Sequence, residues 1–368
     1  MITDGWQPVV EIMNDGIDTG VFPGAVLMVG NRQGILFARA FGLANRYTRQ
    51  AVTLDTVFDL ASLTKPLATT PAVMKLIQQG GVFLETKIGD ILPAFRETPK
   101  RAVEIRHLLY HTSGYPPHRP YYLSLKDMPL AERKRALRRM LVAEPLVRPV
   151  GAVMEYSDLG FMVLCWLIEE MTLMRFDHVV NREIFHPLGL RQLFFVDLAK
   201  PAPNVSFAAT EQCPWRNTLL SGAVSDDNAW AVGGIEGHAG LFGTAGNVYS
   251  LLRALLAAHA GESDFCGISH SLIRTFLRRD SHSGRALGFD TPSSENSSSG
   301  TRFSKNTVGH LGFTGSSCWM DLQREVIVIL LTNRVHPNRD NNLIRAFRPR
   351  LHDAVMDLFI TDVFDTLK

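Results

Sequence analysis

The sequence contains a serine and a lysine three residues apart, directly followed by a proline. The stretch FDLASLTKPL places Ser62 and Lys65 immediately before Pro66. Proline has no amide hydrogen and fits a helix only within its first turn, so the helix is predicted to begin near Ser62. Ser62 would lie at the positive end of the helix dipole, with Lys65 one turn further on the same face. A lysine amine kept neutral by burial and nearby positive potential could then accept the proton of the serine hydroxyl.

The same spacing also has a purely structural explanation. Serine is a common N-cap residue, and a Ser-x-x-Lys tetrapeptide is expected by chance roughly once in a chain of this length. The chemical interpretation therefore needs a third group. Tyr156, in the segment GAVMEYSDLGF, ends a loop marked by proline and glycine and precedes an apolar helix. A tyrosine can act as a general acid or base if adjacent cations lower its pKa from about 10.

A fourth element is the triplet His310-Leu311-Gly312, which opens a candidate strand. Its glycines would permit a substrate backbone to approach that strand closely. The order Ser-x-x-Lys, Tyr-Ser-Asp and His-x-Gly resembles the serine β-lactamase and penicillin-binding-protein superfamily. Within it, the chain is most similar to the branch of class C β-lactamases, DD-peptidases and β-lactamase-fold esterases. Further family-like phrases are HLLYHTSGYP (107–116), IFHPLGL (184–190), GGIEGHAGLFGTAGNVYSLL (233–252) and LTNRVHPN (331–338).

This resemblance implies a role for each matching residue. Ser62 would attack a carbonyl group and become acylated, and Lys65 and Tyr156 would share the proton transfers. The backbone N–H groups of Ser62 and Phe313 would form the oxyanion hole. Water would release the acyl group with Tyr156 as the base, because the E-x-x-L-N segment of class A enzymes is absent. The remaining substrate-binding residues implied are Asp158, His310 and Gly312.

Two departures from the family pattern bear on the substrate. Asp158 stands where many relatives have asparagine, and a carboxylate cannot donate a hydrogen bond to a substrate carbonyl, although it could hold Lys65 in place. His310 and Leu311 replace a Lys-Thr pair, so a fixed cation becomes a titratable imidazole and a hydroxyl is lost. The lost cation and the lost hydroxyl of the third motif both weaken recognition of a substrate carboxylate. Arg302, in the polar segment TPSSENSSSGTR, could restore the missing cation.

We therefore predict a metal-free serine hydrolase that acts through an acyl-enzyme on small esters or amides. One alternative is a DD-carboxypeptidase-like or β-lactamase-like enzyme acting on cell-wall peptides or β-lactams. A second alternative is a non-catalytic penicillin-binding or sensing module. Fluorophosphonate, a p-nitrophenyl ester and a penicillin would separate these functions by the adducts that each forms.

The pattern of apolar residues predicts the elements that must position this site. Helical spacing predicts a helix near residues 6–19 and a C-terminal helix with Pro349 in its first turn. Strand-like runs predict a hairpin around residues 31–34 and further strands ending in the run Val326–Leu331. We expect an α+β fold of the β-lactamase/transpeptidase type, in which these ends form one antiparallel sheet. Residues 1–80 with 285–368 would form the sheet domain and 81–284 a mainly helical domain, with the active site between them.

Composition excludes several other classes of protein. The chain of 368 residues is 46% hydrophobic with a formal net charge of +2, which favours a large core and gives no argument for nucleic acid. The basic run 132–139 is predicted to be a solvated helix face. No Cys-x-x-Cys motif, signal peptide or transmembrane segment is seen, so we expect reduced thiols, a cytoplasmic location and no membrane anchor. No motif indicates a metal or another cofactor, and the histidines 107, 111 and 238 are expected to have packing or turn roles. The expected partner is a small ester, amide or peptide, and the oligomeric state is left open.

Overall fold

An antiparallel sheet of six strands is formed by the two ends of the chain, as predicted. In the computed structural model, which describes residues 4–360, the strand order is β3-β2-β1-β11-β10-β9. Its strands are β1 (Gly24–Gly30), β2 (Ile35–Asn45), β3 (Gln50–Ala51), β9 (Thr307–Leu311), β10 (Ser317–Asp321) and β11 (Val326–Thr332). Every residue of β1 and β11 is buried, because helices cover both faces of the sheet at these central strands.

The predicted hairpin joins β1 to β2. The side chain of Asn31 accepts hydrogen bonds from the backbone N–H groups of Gln33 and Gly34, which closes the turn. β1 also pairs with β11 from Ala25–Thr332 to Gly30–Ile327, so the first and last parts of the sequence share one ladder. This pairing brings the His310-Leu311-Gly312 triplet on the edge strand β9 into the same sheet.

The two terminal helices cover one face of this sheet. They are α1 (Gln7–Asp18) and α12 (Ile344–Ile360), and their apolar residues pack with β1, β10 and β11 in one core cluster. Pro349 is the sixth residue of α12, so its predicted place in the first turn was wrong. The helix begins earlier because Ile344 and Phe347 are buried against the sheet, and that packing stabilises a turn ahead of the proline.

The segment between the two halves of the sheet is largely helical. Its helices are α2 (Thr70–Gln78), α3 (Ile88–Ile91), α4 (Ile105–Leu109), α5 (Tyr122–Leu125), α6 (Leu130–Ala143), α7 (Asp158–Thr172), α8 (Phe176–Val180), α9 (Asp227–Ala231), α10 (Ala245–Ala260) and α11 (His270–Leu277). α2, α6 and α7 overlap the segments TTPAVMKLIQQGG, LAERKRALRRMLV and LGFMVLCWLIEEM, whose apolar residues follow a helical pattern. Two small sheets lie among them, β4 (Phe58–Asp59) with β8 (Leu241–Gly243) and β5 (Leu193–Phe195), and β6 (Gln212–Cys213) with β7 (Thr218–Leu219).

The basic run on α6 is only partly solvated. Lys134 and Arg138 both form ion pairs with Glu169 on α7, at 2.8 and 2.6 Å. Arg133 donates hydrogen bonds to the backbone carbonyls of Met128 and Ala231. These contacts attach α6 to the helical core, so the prediction of a simple solvated face holds only for the exposed members of the run.

The largest core cluster extends from the second face of the sheet into the helical region. It includes Val26 and Ile329 from the sheet together with Leu164 from α7 and Leu255 from α10. Residues assigned to both predicted domains therefore share one apolar core. The boundaries at residues 80 and 285 stay a prediction.

Candidate active site

Ser62 lies in a tight turn that leads into the first long helix. A 3-10 turn at Ala61–Leu63 continues through a π-helical segment, Lys65–Thr69, into α2, so the helical stretch begins near Ser62 as predicted. Ala61 has a positive φ of 48°, a left-handed conformation that side chains rarely adopt. The turn is fixed by Asp59, whose carboxylate accepts hydrogen bonds from the backbone N–H groups of Ala61 and Ser225. Burial raises the pKa of Asp59 to about 6.

Lys65 is completely buried beside the serine hydroxyl. Its ammonium nitrogen lies 3.1 Å from the Ser62 hydroxyl oxygen, 2.8 Å from a carboxylate oxygen of Asp158 and 3.0 Å from the backbone carbonyl oxygen of His238. All three donors of the ammonium group are therefore directed to an acceptor. The serine and the lysine are brought together as predicted, and Asp158 holds the lysine in place.

The protonation of Lys65 differs from the sequence-based expectation. Burial by itself lowers the pKa of a lysine, but the charge and hydrogen bond of Asp158 outweigh it and the pKa of Lys65 is raised. Burial by itself raises the pKa of Asp158, but the charge of Lys65 outweighs this effect and holds the pKa of Asp158 below its usual value. Because the two groups form a buried ion pair, the resting lysine is an ammonium ion. The expectation of a neutral amine was wrong.

Tyr156 is the third member of the cluster. The Lys65 ammonium nitrogen lies 5.0 Å from its ring centre, and the charge of Lys65 acts on its phenol. Burial raises the pKa of Tyr156, the positive charge of Lys65 opposes that rise, and the charge of Asp158 adds to it. The net shift is upward, so the expected lowering of the phenol pKa was wrong for the resting site.

The third motif lies on β9 and in the turn that follows it. His310 is buried, and its Nδ1 atom lies 2.8 Å from the backbone carbonyl oxygen of Leu311, so Nδ1 donates that hydrogen bond. Burial, followed by the charges of Lys65 and Arg285, holds the pKa of His310 well below its usual value. The imidazole is therefore neutral at physiological pH, so the third motif itself contributes no positive charge.

Gly312 and Phe313 bring this turn against the nucleophile. A Cβ atom on Gly312 would lie 2.9 Å from the carbonyl oxygen of Leu60, so glycine is needed for the close approach of two protein segments. No described residue accepts a hydrogen bond from the backbone N–H of Phe313. The Phe313 side chain is half exposed at the mouth of the site. The triplet thus approaches Ser62 as predicted, but the glycine serves packing within the chain.

Two cavities meet at the catalytic cluster. Ser62, Tyr156 and Phe313 line both of them. The first has a volume of about 340 Å³ and is lined by polar and acidic residues, among them His118, Asp158, Asp226, Asp227 and Arg339. The second has a volume of about 440 Å³ and is lined by Arg285, Arg334, Arg345 and Arg348 as well as His310. The site is therefore open on two sides, and one of these sides is rich in arginine.

The arginines of the second cavity were not found from the sequence. Arg302, the residue suggested there as a replacement cation, instead pairs with Asp357 on α12 at 2.9 Å. Arg334 and Arg348 direct their guanidinium groups at backbone carbonyls, including that of Phe313 for Arg334 and those of Gly312, Gly315 and Ser316 for Arg348. Burial lowers the pKa of Arg348 to about 9, so the group stays cationic at neutral pH.

The three histidines have the structural roles that were expected of them, yet two of them border the site. His107 accepts a hydrogen bond from the backbone of Glu104 and caps α4. His111 accepts a hydrogen bond from the backbone N–H of Ser157 and stacks on Tyr156 at 4.5 Å. His238 lies 2.9 Å from a carboxylate oxygen of Asp226. The partner of His107 is local in the sequence, whereas those of His111 and His238 lie 46 and 12 residues away and could not be found from spacing.

Within residues 4–360, one cluster of side chains has the types and spacing of metal ligands. It consists of Glu211, Cys213 and Asp227. Both carboxylates are already bound by Arg339, and Asp227 is also bound by Arg216. All four cysteines of the chain are free thiols, as expected.

The fold, together with a serine, a lysine and a tyrosine clustered as Ser62, Lys65 and Tyr156 are, is that of the β-lactamase-fold serine hydrolase superfamily. Residues 9–350 match the family model for Beta-lactamase, and the chain belongs to this family. A protein of Salmonella typhi with the name "Putative D-alanyl-D-alanine carboxypeptidase" is 29% identical over 362 residues, covering 90% of this chain and 82% of that protein. The recognition of the superfamily and its fold from the sequence is confirmed.

Solved structures agree with this assignment of the fold. "EstCE1, a hydrolase with promiscuous acyltransferase activity" superimposes with a TM-score of 0.76 at 21% identity, covering 96% of this chain and 98% of its own. A penicillin-binding protein of Bacillus halodurans superimposes with a TM-score of 0.68 at 21% identity, covering 88% and 95%. Among the helices within residues 4–360, none combines the length and the apolar character needed to cross a bilayer.

Proposed function

We propose that this protein hydrolyses small esters or amides through an acyl-enzyme on Ser62, and that its preferred substrates carry a carboxylate on the leaving-group side. A peptide ending in D-Ala-D-Ala is such a substrate. The observation that carries this preference is the arginine-rich wall of the second cavity. The name of the Salmonella relative supports the same substrate class.

Asp290 in the same cavity pairs with Arg285, but the charges of the other three arginines are not balanced by a carboxylate of the described residues. Within residues 4–360, Arg334, Arg345 and Arg348 form no ion pair with a carboxylate. Arg345 is exposed at the start of α12, and its guanidinium group has no hydrogen-bond partner in the same part of the chain. A substrate carboxylate would be attracted by all three charges and could accept hydrogen bonds from Arg345. The third motif lacks the cation that would bind a substrate carboxylate, and these three arginines supply positive charge from other segments.

The proton transfers follow from the contacts of the cluster. Loss of one proton from the Lys65–Tyr156 pair produces a base in contact with the Ser62 hydroxyl. The serine oxygen then attacks the substrate carbonyl carbon, and its proton passes to the base. The backbone N–H groups of Ser62 and Phe313 would stabilise the negative oxygen, a type of contact whose loss costs about 3 kcal/mol. The same pair returns the proton to the leaving group and later activates the water that releases the acyl group.

Hydrolysis of small uncharged esters is the second candidate function. It is favoured by Leu311, which provides no hydroxyl for a substrate carboxylate, and by the neutral state of His310. The structural similarity to EstCE1 supports this candidate, just as the name of the Salmonella relative supports the first one. The replacements His310→Lys and Leu311→Thr together should then move selectivity towards carboxylate-bearing substrates.

A pair of matched substrates tests the proposal. A short acyl-D-Ala-D-Ala peptide and its C-terminal amide differ only in the charge at the leaving end. Charge-assisted hydrogen bonds contribute about 1.5–3 kcal/mol each, so kcat/KM should be roughly ten- to a hundredfold higher for the free acid. Arg345→Gln should reduce this ratio without loss of folding, because Arg345 is exposed, and Arg350→Gln on the same helix is the matched control.

The nucleophile is tested independently of the substrate. A fluorophosphonate adduct mapped by peptide mass spectrometry should lie on Ser62 alone. Modification of another serine would exclude the acyl-enzyme proposed here. Equal kcat/KM values for the acid and the amide, together with fast turnover of p-nitrophenyl acetate, would favour the ester hydrolase instead.

A further inference from the structure

Two cations contact the ring of Tyr156, and only one of them belongs to a family motif. The Arg285 guanidinium carbon lies 5.5 Å from the ring centre, comparable with 5.0 Å for the Lys65 ammonium nitrogen. Arg285 follows α11 in the turn SHSGR and is 11% exposed in its side chain. No sequence motif indicated this residue.

Arg285 is fixed in place by the edge of the main sheet. Its Nη2 atom lies 3.3 Å from a carboxylate oxygen of Asp290. The backbone of Asp290 exchanges two hydrogen bonds with Gly309, the residue before His310, at 2.6 and 2.9 Å. The guanidinium group is thereby held next to the third motif, where relatives with Lys-Thr-Gly have their lysine charge. Its Nε and Nη1 atoms are buried and lack a hydrogen-bond partner among residues 4–360.

Apart from Lys65 and Arg285, the groups around Tyr156 carry no positive charge. The titratable and charged groups that face it are Lys65 on the π-helical segment, Asp158 on α7, His111 after α4, His310 on β9 and Arg285. Burial, followed by the charges of Arg285 and Lys65, holds the pKa of both His111 and His310 well below its usual value. Both imidazoles are therefore neutral, and Lys65 is itself paired with Asp158.

We propose that Arg285 is a positioning residue that provides the second positive charge beside Tyr156 and so favours its phenolate during proton transfer. Arg285 thereby replaces the lysine that the third motif lacks in this chain. A guanidinium group over an aromatic face is attracted to the ring, and the attraction increases when the ring carries negative charge. This inference rests on the proposed acyl-enzyme mechanism and specifies how its base is formed.

The test uses a substrate without a carboxylate, so that binding of an anionic substrate does not contribute. The kcat/KM for p-nitrophenyl acetate is measured from pH 5 to pH 10 for the wild type, Arg285→Gln and Arg285→Lys. A charge within about 4–6 Å shifts a pKa by about one to three units, and the partner Asp290 reduces the effect, so we expect about one unit. The rising limb of the Arg285→Gln profile should move up by that amount, with about tenfold lower activity below the midpoint and little change on the plateau. Arg285→Lys should restore the wild-type midpoint.

Repeating the Arg285 substitution in a Tyr156→Phe variant distinguishes an effect on Tyr156 from a general structural effect. In Tyr156→Phe, the further change Arg285→Gln should have no pH-dependent effect, because the group that responds to the charge is gone. A uniform loss at every pH in Arg285→Gln, or an equal further loss in the Tyr156→Phe background, would overturn the proposal. If Arg285→Gln does not fold, Asp290→Asn serves instead. Removing that negative charge should lower the midpoint, and an unchanged or higher midpoint would refute the role of Arg285.

The outcome also distinguishes this inference from the proposed function. If fluorophosphonate does not label Ser62 in the wild type, the acyl-enzyme mechanism itself fails. If Ser62 is labelled and the ester is hydrolysed, but the Arg285 variants keep the wild-type profile, only the role of Arg285 is rejected.

Discussion

Replacing Asp158 by asparagine should move the pH dependence of catalysis towards lower pH. The Asp158 carboxylate lies 2.8 Å from the Lys65 ammonium nitrogen and raises the pKa of both Lys65 and Tyr156. An opposite charge at this range typically shifts a pKa by about one to three units. Asparagine keeps an oxygen that can accept the Lys65 hydrogen bond but has no charge. The rising limb of kcat/KM for p-nitrophenyl acetate should therefore move down by about one to three pH units in Asp158→Asn.

The control for this experiment is another carboxylate of the same cavity. Asp227 also lines the first cavity, but its carboxylate is bound by Arg216 and Arg339 rather than by Lys65. Asp227→Asn should leave the midpoint of the profile where it is. A midpoint that does not move in Asp158→Asn, or that moves up, would show that the Asp158 charge does not set the proton affinity of the Lys65–Tyr156 pair.

The same variant has a consequence for stability. Removing one partner of a buried ion pair costs about 3–5 kcal/mol, and the retained oxygen of asparagine should place the loss in unfolding free energy at or below the lower end of that range. Because the pKa of Lys65 is raised in the fold, the stabilisation by the pair is complete below the unfolded lysine pKa of about 10.4 and is lost as the pH rises through the folded value. At the acidic end it is lost as the pH falls through the lowered pKa of Asp158. Urea unfolding at pH 7 measures the difference.

Three further changes have defined outcomes. Ser62→Ala and Lys65→Ala should each remove most activity. Because the two residues act as a unit, the double variant should be no less active than the poorer single variant. Steady-state rates in which the two losses multiply would contradict this. Arg348→Met removes a buried donor from three backbone carbonyls, of which those of Gly312 and Ser316 keep a backbone donor and that of Gly315 does not. We expect a loss of about 1–3 kcal/mol in unfolding free energy, and a urea unfolding curve close to that of the wild type would argue against this role. Gly309→Ala should lower the melting temperature clearly, because the new Cβ atom would lie 2.3 Å from a carbonyl oxygen and from an indole ring. Gly34→Ala is the control: its Cβ atom would have no neighbour within 4 Å, so this variant should melt like the wild type.

The sequence by itself determined the fold class and predicted the cluster proposed here as catalytic. Pro66 indicated a helix start near Ser62 because proline is favoured in a first turn, and the helical spacing then placed Lys65 on the same face. The same rule failed for Pro349, which lies in the second turn of α12. The hairpin around Asn31 and the run Val326–Leu331 were predicted because alternating and β-branched residues form strands largely through local preferences. Strands of two or three residues, such as β4, were missed because they are too short to show a period.

The tertiary structure alone decided the charges of the site. Whether Lys65 is neutral depends on the distance to Asp158, which lies 93 residues away along the chain. The cations beside the nucleophile come from a turn after α11 and from α12, and no local pattern distinguishes Arg285 or Arg345 from a surface arginine such as Arg302. A pKa or an unpaired charge depends on burial and on neighbours from distant segments, and these are fixed only when the chain has folded.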